Sequence, residues 1–125
     1  MSKFVISGRL PGINEYTHAC RTHKIVGARM KQENQQYVQL EIYRQRKQIG
    51  TVKPPIKLIY RFFEPNKKRD QDNVSGFARK VIQDALVVEG VIKNDGWGYV
   101  TGRAEEFYID SENPRIEVEI LEAKA

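Results

Sequence analysis

The sequence predicts an α+β domain of two layers, a mixed β-sheet covered by two main helices. Three observations carry that prediction. Residues Ile56 to Phe63 alternate, with Ile56, Leu58, Tyr60 and Phe62 on one side and Lys57, Ile59, Arg61 and Phe63 on the other, the period of a strand with one fully buried face. Val74, Phe77, Ala78, Val81, Ile82, Ala85 and Leu86 recur at the 3.6-residue period of a helix with one apolar side. Strands outnumber long helices, and the chain order reads strand, helix, strand, helix, strand, strand. A length of 125 residues suits one domain with one modest core, so residues 1-125 are read as a single unit.

Phe4-Val5-Ile6-Ser7-Gly8 forms the first strand, ended by the turn dipeptide Pro11-Gly12. The stretch from Thr17 to Arg29 is basic and polar and contains Gly27, which predicts a loop. Met30 to Gln48 has neither Gly nor Pro and is rich in Gln, Glu, Lys, Arg and Leu, which predicts the first helix. Its apolar stripe is thin, anchored by Met30, Tyr37, Val38 and Ile42, and Pro54-Pro55 stop it. After the strand at Ile56, the second helix runs from about Asn73 to Glu89, with Asp72 or Asn73 as N-cap and Gly90 as its C-terminal stop. Glu106 to Asp110 is a short strand. Past the turn Asn113-Pro114, Ile116, Val118 and Ile120 alternate with Glu117 and Glu119 in a half-exposed last strand.

Hydrophobic residues make up 40% and charged residues 30% of the chain, a globular and soluble balance. No apolar run approaches the ~18 residues that span a bilayer, and MSKFVISGRL lacks the apolar region of a signal peptide, so a cytoplasmic protein with no membrane partner is expected. The single Cys20 excludes an internal disulfide. With His18 and His23 it makes only a weak case for soft-metal ligation, and a small buried thiol between surface histidines is the expected arrangement. A formal charge of +5 tilts the choice of partner toward a polyanion such as nucleic acid.

The segment KKRDQDN, residues 67 to 73, concentrates chemistry at one bend. In extended backbone Asp70 and Asp72 would point to one side, about 6.5 to 7 Å apart, a spacing from which two carboxylates reach one or two divalent cations. Capping of the following helix needs one of them, because carboxylates favour the positive end of the helix dipole, and the second adds repulsion that Lys67, Lys68 and Arg69 or a metal would relieve. An EF-hand does not fit, since its fifth, sixth and twelfth positions fall on Val74, Ser75 and Val81. Asp95, in the turn after the helix, is the candidate third oxygen ligand. Lys80 and Asp84 lie one turn apart on the helix, with Gly76 a turn earlier. They read either as a surface ion pair or as a lysine placed to hold a phosphate oxygen, where Gly76 lets a sugar-phosphate backbone come close.

Taken together, Arg69-Asp70-x-Asp72-Asn73, Lys80-x-x-x-Asp84-Ala85-Leu86 and Gly90-Val91-Ile92-x-Asn94-Asp95 resemble the RusA family of Holliday junction resolvases, a family often carried by phages and prophages. Leu10-Pro11-Gly12-Ile13-Asn14 is similar to its Pro-x-x-Asn opening. The resemblance implies a RusA-like fold and a homodimeric, Mg²⁺-dependent endodeoxyribonuclease, with Mn²⁺ as a substitute, that resolves four-way DNA junctions by paired nicks during recombination and repair. It also implies that Asp70, Asp72 and Asp95 are catalytic metal ligands. The family's lysine stands four residues after the second aspartate, where this chain has Gly76, so Lys80 is read as that lysine displaced by a four-residue insertion. Where the family's turn ends in two aspartates, this one has Asn94 and Asp95.

Hydrolysis of a phosphodiester needs an activated water, charge neutralisation at phosphorus and a stabilised leaving oxygen, all within reach of a cation held by carboxylates. In this reading Lys80 stabilises developing charge, Asp84 is an outer ligand or lysine partner, and Asn73 starts the helix. Lys67, Lys68 and Arg69 grip phosphates, with further contacts from Arg21, Lys24, Arg29 and Lys31. Trp97 and Tyr99, which follow Asp95, are candidates for a dimer interface or for stacking on a base, with core packing the expected role of both. The alternative is a basic, non-catalytic DNA-binding protein whose acids only cap a helix. A structural protein with no nucleic-acid role is the third reading.

Overall fold

The computed structural model describes residues 2–123. Its elements run β1 (Ser2–Ser7), α1 (Ile13–Thr22), α2 (Lys24–Arg44), α3 (Arg46–Ile49), β2 (Ile56–Glu64), α4 (Gln71–Val88), β3 (Val100–Ile109) and β4 (Arg115–Glu122). The strands form one mixed sheet in the order β1-β4-β2-β3. β4 pairs antiparallel with both β1 and β2, whereas β2 and β3 are parallel and α4 is the crossover between them. The predicted α+β class with a mixed sheet is what the chain adopts.

The sheet has one dry face and one wet face. Ile56, Leu58, Tyr60 and Phe62 of β2 are buried with Phe4, Ile6, Ile116, Val118 and Ile120 against the apolar side of α4. On the opposite face the same strands carry paired charges: Arg61 bridges Glu106 and Glu119 at 2.8 and 2.9 Å, and Arg115 lies 3.7 Å over the Phe63 ring. That alternation is the period-two signal read from the sequence, and it fixes the strand register because a slip by one residue would bury the charges.

Three elements differ from expectation. The predicted loop from Thr17 to Arg29 is instead α1 and the first turns of α2, packed on each other as a helical pair. Their contact is made by small residues: Ala19 and Gly27 are buried, and a Cβ on Gly27 would stand 2.5 Å from Cys20 Sγ and 2.9 Å from Cys20 Cα. Close approach through small side chains leaves no apolar stripe to read. Cys20 itself is exposed rather than buried, with its sulfur laid on Gly27. The first long helix ends at Arg44, followed by the short α3, and β3 begins at Val100, six residues before the expected start. Val100 to Glu105 has no clean alternation, and its pairing with β2 supplies what its composition lacks.

Gly27→Ala is therefore expected to destabilise the protein. The added methyl meets backbone, so α1 and α2 must separate; overpacking of that kind costs about 1 to 3 kcal/mol, offset by about 1 kcal/mol of helix propensity. A fall of several degrees in Tm, followed by far-ultraviolet circular dichroism, is the check, and an unchanged or raised Tm contradicts the contact.

Candidate active site

Two helix N-termini meet beside Asp70. Gly12 precedes α1 and Asp70 caps α4, its carboxylate accepting from the Asn73 backbone N–H at 2.8 Å. The cap is thus Asp70 rather than Asp72 or Asn73, and the helix begins two residues earlier than expected. Asn73 joins the two ends: its Oδ1 accepts from the Asn14 N–H at 3.0 Å, and Gly12 lies so close that any Cβ there would collide with Asn73. Glu15 accepts from the Gly12 N–H at 3.2 Å. The positive ends of two helix dipoles come together here, and Asp70, Asp72 and Glu15 are the carboxylates that oppose them.

Asp70 and Asp72 are both exposed. Because the helix starts at Gln71, they are not the two same-side residues of an extended strand but the cap and second position of one helical turn. Their neighbourhood is held by a brace that the sequence reading did not single out. Glu64, at the end of β2, is buried between two arginines: Arg69 donates to it through Nε and Nη2 at 3.0 Å each, and Arg9 Nη2 donates at 2.9 Å. Arg69 also donates to the Leu10 carbonyl at 3.0 Å. Arg69 is thereby committed inside the fold and not free to grip a phosphate. The signal for Glu64 was in the sequence: it continues the inward parity of Ile56, Leu58, Tyr60 and Phe62, where an acid needs a buried cation.

Lys67 and Lys68 are exposed in the loop before Asp70, and Lys67 lines a groove of about 390 Å³ together with Asp70, Val74, Phe107, Tyr108 and Ile109. Arg21 is exposed in the last turn of α1, roughly 10 Å along that helix from Asn14, and Lys24 and Arg29 are exposed in the first turns of α2. Lys31 pairs with Asp84 at 2.7 Å, and Lys80 reaches the other oxygen of Asp84 at 3.2 Å. Burial alone would raise the Asp84 carboxyl, but hydrogen bonds and charge from the two lysines outweigh it and hold it below its ordinary value. Lys80 stands ten residues into the chain from Asp70, about 15 Å along α4, so one chain does not bring it to Asp70 and Asp72. Gly76 gives close approach to Ile13, whose Cβ would lie 3.1 Å from an added methyl, and not to open solvent.

Asp95 lies at the other end of the sheet. Gly90, with φ +74°, ends α4 and turns the chain back, and buried Ile92 pins the return. Asn94 Oδ1 accepts from the Gly96 N–H at 2.9 Å, and the Tyr99 carbonyl accepts from the Ile56 N–H at 2.8 Å, which fixes the turn to the start of β2. Asp95 shares a cavity with Leu58, Gln83, Thr101 and Arg103, whereas Asp70 shares its groove with Glu64 and Tyr108. From Leu58 to Glu64 is six residues of strand, about 20 Å. Among the described residues no three His, Cys, Asp or Glu side chains stand together as a metal site, so a single chain leaves Asp95 apart from the other two acids. The same holds for His18, Cys20 and His23; His23 Nδ1 accepts from the Ile25 N–H as the cap of α2. Tyr99 packs against the core as expected, but Trp97 is 95% exposed.

The Asp70–Asp72 pair offers oxygen donors only, both open to water within one helical turn. That donor set suits a hard divalent cation that keeps several waters, and two carboxylates plus substrate phosphate is the usual complement for Mg²⁺. No helix among the described residues is long and apolar enough to cross a membrane. The family model described as endodeoxyribonuclease RusA matches residues 14–121, most of the chain. No curated protein matches it.

Proposed function

The chain belongs to the endodeoxyribonuclease RusA family, whose members act on Holliday junction DNA, and on that premise we propose that it is a homodimeric, Mg²⁺-dependent resolvase that makes paired nicks in opposed strands. The family match is the observation that carries the reading; the resemblance of the segments around Asp70, Asp72 and Asp95 to the family's motifs supports the site. Asp70 and Asp72 of one copy, with Asp95 of the partner subunit, would hold the metal. The distance between the two ends of the sheet within one chain supports completion by a second copy. A two-fold dimer then presents two identical sites to a nearly two-fold junction.

When bound, the cation would activate water, neutralise phosphate charge and stabilise the leaving oxygen. The chain's own residues position and bind. The Glu64–Arg69–Arg9 brace holds the loop that carries Asp70, and Asn73 locks α1 to the same point. Lys67 and Lys68, exposed beside the acids, contact flanking phosphates, and Lys80, Lys31 and the cations of the α1–α2 pair lie further along the DNA path. Lys80, paired with Asp84, is assigned to backbone contact rather than to the metal.

The test is nicking of a synthetic four-way junction, with Mg²⁺, Mn²⁺ or chelator, beside a linear duplex of the same sequence. Metal-dependent, paired cuts in the junction alone are expected. Binding without cleavage under every condition would favour the non-catalytic DNA-binding reading, and equal cutting of the duplex would remove the claim of junction selectivity.

A further inference from the structure

We propose that Trp97 and Arg103 form a seat for one unstacked nucleotide at the branch point of the DNA, with the base on the Trp97 ring and a phosphate on the Arg103 guanidinium. This rests on the reading above that the chain cuts junctions, and it assigns the preference for a junction over a linear duplex to particular side chains. Trp97 and Arg103 line the cavity that also holds Asp95, with Gln83 of α4 and Thr101 of β3 as its polar walls. An aromatic, a cation and a proposed metal ligand thus open onto one space of about 390 Å³.

The backbone pins the turn on both sides of Trp97. Asn94 Oδ1 accepts from the Gly96 N–H at 2.9 Å, and the Gly96 carbonyl accepts from the Tyr99 and Val100 N–H groups at 3.0 and 2.9 Å. With Gly96 and Gly98 as neighbours, no flanking side chain covers the ring, which is 95% exposed. A large aromatic held in water on a fixed turn keeps its whole face for a partner. A nucleobase fits that face, because every base has a π-surface to stack. Inside a continuous duplex each base is already stacked on both neighbours. Uncovering a base costs least where pairing is interrupted, and a four-way junction interrupts it at the branch point. Trp97 therefore has a binding partner at the branch and none along an arm.

The charges agree with that occupant. Arg103 stands across from Leu58 in the β2–β3 ladder, and both face the cavity. Arg79, the other arginine on this side of the sheet, is committed to Glu105, whereas among the described residues no acid lies within ion-pair distance of the exposed Arg103. Its planar fork is free to hold a phosphate through two N–H groups. Lys93, exposed in the turn before Asp95, adds a cation on the approach. A strand that runs from Arg103 to Asp95 carries a phosphate at each place, and Trp97, two residues from Asp95, meets the base between them.

Trp97 is the chain's single tryptophan, so fluorescence reports on it alone. In chelator, which prevents cleavage, a synthetic four-way junction is expected to quench its emission, while a saturating linear duplex of the same sequence leaves it unchanged. Trp97→Ala should weaken junction binding roughly 10-fold, the loss of one base–aromatic stack, with duplex binding as in the parent. Trp97→Phe keeps most of the affinity. Arg103→Ala should weaken junction binding and lower the slope of log K against log salt by about one. Both replaced side chains are exposed, so Tm should change little. Equal quenching by the duplex overturns the inference, as does a Trp97→Ala variant that binds the junction like the parent or loses junction and duplex alike. An unchanged salt slope for Arg103→Ala overturns the assignment of the phosphate. Emission that is blue-shifted and shielded from acrylamide before DNA is added also overturns it, since Trp97 would then pack on protein. Junction-specific quenching in a parent that never nicks with Mg²⁺ supports the seat and overturns the nuclease reading. Nicking by the parent, with junction binding unchanged in Trp97→Ala, removes the seat and leaves the nuclease reading standing.

Discussion

Mixing Asp70→Asn chains with Asp95→Asn chains is expected to restore junction nicking that neither variant has alone. Each homodimer of a single variant carries the same lesion in both sites. Removing a metal ligand should lower nicking on the order of a hundredfold or more, since losing even the groups that orient such ligands costs 10- to 100-fold. In the mixed dimer, a site built from Asp70 and Asp72 of one chain and Asp95 of its partner segregates the lesions. One site then has both changes and the other has none. Random pairing makes about half of the dimers mixed, each with one intact site, so nicking should recover to about a quarter of the parental rate. The product should be singly nicked junction. Asp70→Asn mixed with Asp72→Asn serves as the control, because both lesions fall on the same end of α4 and each site of the mixed dimer keeps one. No recovery is expected there. If both mixtures stay inactive while the parent cuts, each site is contained in one chain and the separation of Asp95 from Asp70 must close within it.

Glu64→Ala is expected to be strongly destabilising. The Glu64 and Arg69 side chains retain only 9% and 14% of their exposure, so deletion of the acid leaves a nearly buried guanidinium with only the Leu10 carbonyl and the distant Glu15 at 3.8 Å. Breaking one partner out of a buried pair costs about 3 to 5 kcal/mol. Arg9→Ala, by contrast, removes the more exposed of the two arginines and leaves Glu64 with Arg69, so a loss of about 1 kcal/mol is expected. Urea unfolding of the two variants measures the difference. Glu64→Leu combined with Arg69→Met should regain much of the loss, because apolar side chains of similar volume often replace buried ion pairs without cost. That double variant should fold and still nick poorly, since Arg69 no longer ties the Asp70 loop to Leu10. Equal losses for Glu64→Ala and Arg9→Ala would mean that Arg69 is not the buried partner.

The sequence by itself determined those parts of the molecule whose signal is local. Alternation in β2 and β4 and the 3.6-residue period of α4 come from burial on one face, so they survive in a single chain read without neighbours. The resemblance to the RusA family was likewise legible, because motif spacing is a property of the chain, and the family model matches residues 14–121. Tertiary structure decided what depends on contact between distant segments. Gly27 and Cys20 pack two helices through small atoms that leave no hydrophobic period, and β3 owes its length to the ladder with β2. Arg69 looked like a free cation until Glu64 and Leu10 were brought to it from positions 64 and 10. Asp70 and Asp95 flank the same helix in sequence, yet they line different cavities, one with Glu64 and the other with Leu58, which are about 20 Å apart along β2. Spacing along a chain can nominate acids for a site; only the lengths and directions of the elements between them say whether one copy can bring them together.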